Sequence, residues 1–415
     1  MYNYEIDGKK VLSGTVSVSG SKNSSLPIIA ATILNENINE LYNIPKIEDV
    51  NIMLKIIEEL GCKIIINEEK IIINSNSMNH TNISDSLMKR LRASIVLAGA
   101  ILGRFKHVTF SYPGGCNIGK RPIDLHIKNF KKLGAVIEEK ENHINCTLNN
   151  IKSGTLFLEF PSVGVTENLM LLSVLGNHEV VIKNAAKEPE IVDLSNFLNV
   201  MGAKIFGAGT ENIKIEGVKS LNKTSYTIIP DRIEAGTLLA AIAITRGEGK
   251  IEKVSPEHLI SVIEKLKEIG CKIIVDNESI YINAHRNLNS VFLKTLPYPG
   301  FPTDMQPIFT SLLLTCNGET LIDETIFENR YNFISQLEKM KANFKKSSNK
   351  LFFKGPQELV GAEVECTDLR GGASIVLAGL SSYGKTVVSR TEYILRGYEN
   401  LDYKLNKLGA RINRV

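Results

Sequence analysis

Two stretches of this chain decide its fold: IIEELGCKIIINEEKIII at Ile56–Ile73 and IEKLKEIGCKIIVDNESIYI at Ile263–Ile282. Each reads as an amphipathic helix, a glycine and then a strand hairpin. The pattern occurs six times along the chain, and its central residues are Gly61, Gly134, Gly202, Gly270, Lys341 and Gly409. Successive central residues are 73, 68, 68, 71 and 68 positions apart. The chain is therefore a sixfold internal repeat.

A second helix, almost wholly apolar, precedes each copy, which predicts that it is buried. These helices are rich in Ala and Gly, and such small residues allow close helix packing. We expect them at Ser21–Leu34, Leu91–Leu102, Thr166–Gly176, Arg232–Thr245, Thr303–Thr315 and Leu369–Leu380. The repeating unit is thus a strand, a buried helix, a strand, an amphipathic helix and a hairpin.

Six such units fit the 415 residues best as two α/β globules of three units each. An open solenoid is disfavoured because no polar capping repeats bracket the units. We expect one domain at residues 21–229, carrying the loop around Cys116. The other combines residues 1–20 with 230–415, because the first strand, Tyr4–Val18, can complete the last unit.

Composition excludes several classes of protein. The net charge is only +4, from 49 Lys and Arg against 45 Asp and Glu, and Trp is absent, so we expect no nucleic-acid partner. The six Cys show no CxxC spacing, which argues against a metal site or a disulfide framework. No apolar run approaches the roughly 18–20 residues of a membrane span, and Met1–Gly14 has no signal-peptide core, so we expect a cytoplasmic protein without a membrane partner.

Charged residues at the N-termini of the buried helices differ from unit to unit, which marks them as functional candidates. Helix N-termini present free N–H groups and partial positive charge, which suit anions. The basic residues there include Lys22, Arg92 and Arg370, a set that would suit a phosphate or carboxylate ligand. Asp304, Asp368 and Thr166 could instead be N-caps, and the two roles can coexist.

The loop PGGCNIGKRP, Pro113–Pro122, places Cys116 among three glycines and close to Lys120 and Arg121. Basic neighbours lower the pKa of a thiol and favour its reactive form. The pattern is typical of a lid that carries a catalytic group, although a plain turn with a bystander Cys stays possible. No Cys–His or Ser–His–Asp arrangement accompanies it.

Two further stretches are candidates. Three prolines precede Asp304 in Leu296–Asp304, and such a rigid loop would fix a carboxylate as a general base requires. Arg396 lies in the basic turn Arg390–Tyr398, where it could reach an anion or simply be a solvated charge.

From Gly20 to about Leu408 the chain resembles the UDP-N-acetylglucosamine enolpyruvyl transferases, the 1-carboxyvinyltransferases. The resemblance is carried by GSKNSSLPIIAAT, LRASIVLAG, PGGCNIGKRPIDLHI, NAAKEPEIVDL, PDRIEAGT, YPGFPTDMQ, ETIFENRY, TDLRGGASIVLAGL and LRGYENL. It implies two inverse α/β barrels of three units each, with a cleft between them and the first strand in the C-terminal barrel.

The resemblance also implies the reaction. The enolpyruvyl group of phosphoenolpyruvate would move to the 3′-hydroxyl of UDP-N-acetylglucosamine, with release of phosphate, by addition and elimination. This is the first committed step of bacterial peptidoglycan synthesis, and so serves cell-wall biogenesis, cell shape and cell division. No metal or organic cofactor would be needed, the enzyme would be a monomer, and fosfomycin would inactivate it.

Site roles follow where the motifs match. Cys116 would donate a proton and form a pyruvate adduct, Asp304 would accept the proton of the sugar hydroxyl, and Asp368 would support the reacting centre. Phosphoenolpyruvate would be held by Lys22, Asn23, Arg92, Arg121 and Arg396, and of these Lys22 and Arg396 would also be catalytic. The remaining substrate contacts would come from Pro122, Ile123, Asp124, Leu125, Ser162, Val163, Gly164, Ile326, Phe327 and Arg370.

Two alternatives stay open. The sister enzyme that acts on shikimate 3-phosphate shares the barrels and the Lys at the first helix, but it lacks the Cys116 loop. A non-catalytic paralogue that binds sugar nucleotides would be expected to lose Cys116, Asp304 or one of the clamping arginines.

The chain departs from the family pattern after TDLR, where Gly371 and Gly372 replace the usual Ala-Ser.

Overall fold

The computed structural model describes residues 2–114 and 123–415. Three predicted site residues, Cys116, Arg121 and Pro122, lie outside the described residues. The described chain divides into two compact units. Unit 1 comprises residues 2–19 and 230–415, and unit 2 comprises residues 20–114 and 123–229. Each unit has a hydrophobic core of its own.

The six apolar helices are buried, as their composition predicts. Unit 2 contains Lys22–Ala31, Val96–Phe105 and Val163–Ser173. Unit 1 contains Arg232–Ile244, Gln306–Leu314 and Leu369–Ser381. Short 3₁₀ turns adjoin three of them, at Thr32–Leu34, Arg92–Ile95 and Thr303–Met305.

The third buried helix begins three residues earlier than predicted. Ser162 is its N-cap and accepts a hydrogen bond from the backbone of Val165, so the N-cap interpretation of Thr166 is wrong. The Thr166 side chain lies inside the helix, where it donates to the carbonyl of Ser162 and accepts from the amide of Ala186.

The central residues of the repeat share one backbone conformation. All six have positive φ, from 72° at Lys341 to 116° at Gly270. This left-handed conformation follows the end of a helix, and glycine adopts it without a Cβ penalty. The amphipathic helices that precede them are Glu48–Glu59, Asp124–Lys132, Pro189–Val200, Ile260–Ile269, Ile334–Lys339 and Leu401–Lys407. The remaining helical segments are Asp85–Arg90, Pro256–Leu259 and Glu392–Leu395.

Three sheets belong to unit 2 within the described residues. In spatial order, the first contains Thr224–Thr227, Ile38–Tyr42, Lys70–Asn74 and Lys63–Ile66. The second contains His107–Phe110, Ile144–Thr147 and Val136–Glu139, and the third Lys204–Phe206, Asn212–Glu216, Glu179–Lys183 and Gly154–Phe157. Alternate residues of the central strands are buried, so each sheet turns one face to the core.

Unit 1 repeats this plan with three sheets of its own. They contain Glu363–Glu365, Lys385–Ser389, Tyr4–Asp7 and Ile412–Arg414; Lys272–Asp276, Ser279–Asn283, Glu248–Glu252 and Ser13–Ser17; and Phe292–Lys294, Gly318–Asp323, Lys350–Gly355 and Lys345–Ser347.

The N-terminal segment forms two strands rather than the single strand predicted at Tyr4–Val18. Tyr4–Asp7 pairs antiparallel with Lys385–Val388 and with Ile412–Arg414, whereas Ser13–Ser17 pairs parallel with Glu248–Glu252. Gly8 and Lys9 lie at the break. An added Cβ at Gly8 would lie 2.0 Å from the carbonyl oxygen of Ser382, so glycine is needed there, and Lys9 has a φ of 59°, outside the strand region. The two halves of the segment enter different sheets of unit 1.

Glycines let the buried helices approach closely. An added Cβ at Gly99 would lie 2.4 Å from the carbonyl oxygen of Asn168 on the neighbouring helix. The Asn168 side chain accepts a hydrogen bond from the Gly99 amide at 2.8 Å and donates one to the carbonyl of Ile95 at 3.0 Å. The small residues predicted to permit close contact therefore do so.

The glycine pair after TDLR is also explained by crowding. An added Cβ at Gly371 would lie 2.6 Å from Asp368 Oδ2, and one at Gly372 would lie 2.8 Å from Cys366 Sγ. Cys366 is fully buried and fills the space that a side chain at position 372 would occupy.

This contact predicts a compensating pair of substitutions. Gly372→Ser should lower the free energy of unfolding by about 1–3 kcal/mol, because overpacking forces neighbouring side chains from their rotamers. Adding Cys366→Ala should recover part of that loss, since it removes the nearest obstructing atom, the sulfur, while Ile394 Cγ1 and Cys366 Cβ remain at 3.0 and 3.1 Å from the added Cβ. Urea unfolding of the wild type, both single variants and the double variant measures the coupling. Purely additive losses would contradict the steric explanation.

Candidate active site

Asp304 lies in the 3₁₀ turn Thr303–Met305, which leads into a buried helix of unit 1. Its Oδ1 accepts a hydrogen bond from Arg330 Nη2 at 2.7 Å, and its Oδ2 accepts from Arg370 Nε and Nη2 at 3.2 and 3.1 Å. The Asp304 side chain is 28% exposed, while those of Arg330 and Arg370 are 2% and 3% exposed. Two buried guanidinium groups thus fix a carboxylate that solvent can reach.

Asp368 and Tyr398 hold Arg370 in place. Asp368 is the N-cap of helix Leu369–Ser381, as one interpretation of the sequence predicts, and its Oδ1 accepts from the amides of Arg370 and Gly371. The Arg370 guanidinium lies over the Tyr398 ring, 5.0 Å from its centroid. Burial by itself would lower the pKa of Arg370, but electrostatic interactions with Tyr398, Asp304 and Asp231 raise it above the ordinary value. Arg370 is therefore a permanent cation.

The other predicted residues of unit 1 lie on two short segments. Ile326 and Phe327 are half-buried, and both of their amides donate to Glu324 Oε1, at 2.9 and 3.2 Å. Arg396 is half-buried at the C-terminal end of the short helix Glu392–Leu395. No local sequence pattern indicates that these two segments belong to one site.

In unit 2, Lys22 is the first residue of a buried helix whose N-cap is Ser21. Its Nζ lies 2.7 Å from Asp49 Oδ2, and the two side chains are 12% and 2% exposed. Asn23 follows it and is half-buried. The ion pair limits the orientations open to Lys22, so its ammonium group is held near the helix N-terminus, where an anion is favoured.

Arg92 opens the 3₁₀ turn before the second buried helix, and its Nη1 donates to the carbonyl of Pro113 at 3.2 Å. Pro113 is the first residue of the predicted thiol loop. The next residue, Gly114, donates its amide to the carbonyl of Met88 at 3.2 Å. Arg92 is therefore tied to the segment from which this loop departs.

The predicted nucleotide-contacting residues open two helices. Ile123 is buried, Asp124 is exposed and Leu125 is half-buried at the start of helix Asp124–Lys132. Ile123 and Asp124 also line a cavity of about 350 Å³, together with Tyr112, Ile127, Lys128, Lys131, Glu139 and Ile144. Ser162, Val163 and Gly164 are half-buried at the start of helix Val163–Ser173.

His126 connects these two helices. Its Nδ1 lies 2.8 Å from Asn168 Nδ2, and its Cε1 lies 3.6 Å from where a Cβ on Gly164 would be. A buried polar link of this kind fixes the register between the helices that carry the two predicted nucleotide segments.

Five of the six cysteines lie within the described residues, and all five are buried. Burial raises the pKa of the Cys62 thiol to about 11 and those of Cys146, Cys271 and Cys316 to about 12. Burial also raises the pKa of Cys366, with Glu392 and Asp368 adding to the effect. None of these thiols has the environment of a reactive cysteine.

Arg330 and Asp49 were missed by the sequence reasoning. Arg330 lies within ETIFENRY, but in the sequence a buried guanidinium cannot be told from a solvated one. Asp49 lies in the first turn of an amphipathic helix, where an acidic residue is expected for helix electrostatics alone. Both pair with a predicted residue through a tertiary contact, which no local pattern records.

Two further classes of feature are missing from residues 2–114 and 123–415. No helix there combines the length and apolar character that a bilayer crossing requires. No group of three or more His, Cys, Asp and Glu side chains in the same residues is placed to hold a metal ion.

Known proteins resemble this chain over its whole length. The family model for EPSP synthase (3-phosphoshikimate 1-carboxyvinyltransferase) matches residues 6–405. A UDP-N-acetylglucosamine 1-carboxyvinyltransferase 2 from Caldanaerobacter subterraneus subsp. tengcongensis is 48% identical over 416 residues, covering 100% of both chains. A UDP-N-acetylglucosamine 1-carboxyvinyltransferase from Finegoldia magna is 45% identical and covers 97% of this chain and 96% of its own.

Solved structures share the fold. The enolpyruvyl transferase NikO from Streptomyces tendae matches with a TM-score of 0.90 at 22% identity, covering 100% of this chain and 99% of its own. An EPSP synthase from Acinetobacter baumannii matches with a TM-score of 0.77 at 19% identity, covering 100% of both chains. The expected α/β fold of the enolpyruvyl transferases is thus confirmed. With full-length relatives at 43–48% identity, the chain is a transferase that belongs to the UDP-N-acetylglucosamine 1-carboxyvinyltransferases within the EPSP synthase family.

Proposed function

We propose that this enzyme transfers the enolpyruvyl group of phosphoenolpyruvate to the 3′-hydroxyl of UDP-N-acetylglucosamine and releases phosphate. The observation that carries the proposal is Asp304, a partly exposed carboxylate fixed by Arg330 and Arg370. Full-length relatives that carry the name of this activity support it. The Cys116 loop in the sequence favours this acceptor over shikimate 3-phosphate.

The reaction has two stages. In the addition, the sugar 3′-oxygen bonds to C2 of phosphoenolpyruvate, its proton leaves to a base, and C3 gains a proton to become a methyl group. In the elimination, a proton leaves C3, the C2=C3 double bond forms again and the bond from C2 to the phosphate oxygen breaks. Atoms and charges balance without an added oxidant or metal.

Asp304 is the base in this scheme. Its two oxygens accept from different guanidinium groups, which leaves the carboxylate one orientation toward solvent. A general base must lie within hydrogen-bond reach of the proton it takes, so fixed orientation matters before basicity does. Asp368 supports this arrangement through the backbone of Arg370.

Cys116 is the proton donor to C3 in the proposal. Its sulfur can also bond to C2 of phosphoenolpyruvate while C3 takes up a proton, and this addition accounts for a covalent adduct. Lys22, Asn23, Arg92, Arg121 and Arg396 hold the phosphate and carboxylate of phosphoenolpyruvate. Arginine pairs planar oxyanions through two parallel hydrogen bonds, so lysine would not replace it freely.

The sugar nucleotide occupies the remaining positions. Pro122 to Leu125 and Ser162 to Gly164 contact the nucleotide, and Ile326 and Phe327 pack against the sugar. In this role the enzyme supplies the first committed precursor of peptidoglycan in the cytoplasm, and fosfomycin inactivates it by alkylating Cys116. The roles of Cys116, Arg121 and Pro122 rest on the family resemblance alone, and those of the other residues rest on the resemblance together with the contacts described above.

One assay tests the function directly. Purified protein mixed with phosphoenolpyruvate and UDP-N-acetylglucosamine should release phosphate, and mass spectrometry should find the enolpyruvyl sugar nucleotide. Replacing the acceptor with shikimate 3-phosphate should give no phosphate. Release only with shikimate 3-phosphate would favour the sister activity, and binding of the sugar nucleotide without any turnover would favour the non-catalytic paralogue.

A further inference from the structure

Glu324 is a fully buried carboxylate directly after strand Gly318–Asp323. None of the roles assigned above uses it. It accepts four hydrogen bonds, two from hydroxyl groups and two from backbone amides, and the donors are Thr295, Thr303, Ile326 and Phe327. Burying a carboxylate is costly unless its oxygens are satisfied, so a site that satisfies both has a structural purpose.

One oxygen of Glu324 holds the turn that carries Asp304. Glu324 Oε2 accepts from Thr303 Oγ1 at 3.0 Å, and Thr303 is the neighbour of Asp304 in the chain. The carbonyl of Thr303 accepts from Arg330 Nε at 3.2 Å, and the same guanidinium donates to Asp304. Thr303 is thus fixed through its side chain by Glu324 and through its backbone by Arg330.

The other oxygen holds the turn of the sugar-packing residues. Glu324 Oε1 accepts from the amides of Ile326 and Phe327 at 2.9 and 3.2 Å, and from Thr295 Oγ1 at 3.0 Å. The Thr295 hydroxyl also accepts from the amide of Thr325 at 2.9 Å. The backbone amides of Ile326 and Phe327 in this tight turn therefore share one acceptor, the carboxylate of Glu324.

The ionised form of Glu324 carries an energetic cost in this place. Burial raises the pKa of Glu324, although the amides of Ile326 and Phe327, the Thr295 hydroxyl and the charge of Arg330 lower it in part. A hydrophobic residue would fill the volume without this cost, but it would leave two amides and two hydroxyls unpaired. Glu324 is therefore suited to joining the two turns rather than to filling space.

We propose that Glu324 is a positioning residue that sets Asp304 and the Ile326–Phe327 turn relative to each other, and so aligns the base with the acceptor sugar. This inference rests on the proposed function. Glu324 acts on the acceptor side of the reaction only. Its hydrogen bonds come from Thr295, Thr303, Ile326 and Phe327, and none of these residues is proposed to hold phosphoenolpyruvate.

Glu324→Ala should lower kcat by about 10- to 100-fold, since small misplacements of a reacting group have effects of that size. The KM for UDP-N-acetylglucosamine should rise several-fold, and the KM for phosphoenolpyruvate should stay at the wild-type value. Amide hydrogen exchange at Ile326 and Phe327, measured on the unliganded protein, should accelerate because their acceptor is gone.

Two conservative variants distinguish the effect of side-chain length at position 324 from the effect of its charge. Glu324→Gln keeps the length of the side chain, and its carbonyl oxygen can accept from both amides while Thr303 reverses its hydroxyl to accept from the new NH₂ group. It should recover most of kcat. Glu324→Asp keeps the charge but is one methylene shorter, so it should behave like the alanine variant.

A third variant removes only one of the hydrogen bonds that Glu324 accepts. Thr303→Val removes the bond to Glu324 Oε2, and it should lower kcat without raising the KM for the sugar nucleotide. Thr320→Val is the matched control, because Thr320 is a buried threonine on the strand that leads to Glu324, and its hydroxyl donates to Ser290 at 3.0 Å. The control should leave kcat unchanged.

Wild-type kinetics in the folded alanine variant would overturn the proposal, as would unchanged amide exchange in the turn. A fall in apparent kcat that matches the loss of folded protein, with both KM values unchanged, would assign Glu324 to stability alone and would overturn it too. Failure of the wild type to release phosphate would overturn the proposed function instead. That failure is seen before any variant is made, and the exchange measurement still tests the positioning by itself.

Discussion

Asp304→Asn should lower kcat by about 10²- to 10⁴-fold, the range that removal of a general base produces. An amide cannot take the proton of the sugar hydroxyl at neutral pH. The KM for phosphoenolpyruvate should change little, because its proposed ligands are Lys22, Asn23 and three arginines. Steady-state kinetics with each substrate varied in turn measures both parameters.

The substitution also disturbs two buried arginines, so a control for stability is needed. Asp402→Asn serves this purpose, because Asp402 is buried in the same unit and accepts from Arg414 Nε and Nη2 at 2.6 and 2.8 Å. It breaks a comparable carboxylate–guanidinium pair without touching the proposed base. Its kcat should stay near the wild-type value even if its melting temperature falls. Equal losses of kcat in both variants would refute the assignment of Asp304 as base.

Cys116→Ser should lose most turnover, by about 10²-fold or more, while still binding UDP-N-acetylglucosamine. A serine hydroxyl is a far weaker acid than a thiol and cannot supply a proton to C3 at a useful rate. Isothermal titration with the sugar nucleotide and a phosphate-release assay separate the two properties. Full activity in this variant would remove Cys116 from the mechanism.

Fosfomycin provides an independent measurement on the same thiol. Mass spectrometry should find one adduct, on Cys116, because the five described cysteines are buried and their pKa values are raised. Cys62→Ser is the matched control, since it makes the same exchange at a buried thiol and should leave alkylation unchanged. An adduct that persists in Cys116→Ser, or none in the wild type, would contradict the assignment.

Much of the fold could be predicted because the sequence patterns that indicate its helices and turns are local. Helical periodicity marks the buried helices, and the residue after each amphipathic helix needs a left-handed conformation that usually selects glycine. Lys341 is instructive, since it takes the same conformation with φ of 72° and was identified only by its place in the repeat. The split of the first strand was missed, because its two halves pair with strands far away in the sequence, Lys385–Val388 and Glu248–Glu252.

The site could be predicted only in part, for the same physical reason. Lys22, Asp304 and Arg370 stand out because they carry charge at the ends of apolar helices. Arg330 and Glu324 do not, because their importance comes from partners on other elements of the fold. A sequence indicates where charge is unusual, but it does not record which charges meet.

The pairing of the N-terminal strands has a consequence for biosynthesis. Unit 2 is continuous from residue 20 to residue 229 apart from the part outside the described residues, and its ends meet where the amide of Ser21 donates to the carbonyl of Ile229 at 2.8 Å. Tyr4–Asp7, by contrast, pairs with strands at Lys385–Val388 and Ile412–Arg414. Domains fold as units while the chain emerges from the ribosome. Unit 2 can therefore complete its core during translation, and Ser13–Ser17 can pair once Glu248–Glu252 has been made. Tyr4–Asp7, however, stays without its strand partners until the ribosome has made nearly the whole chain.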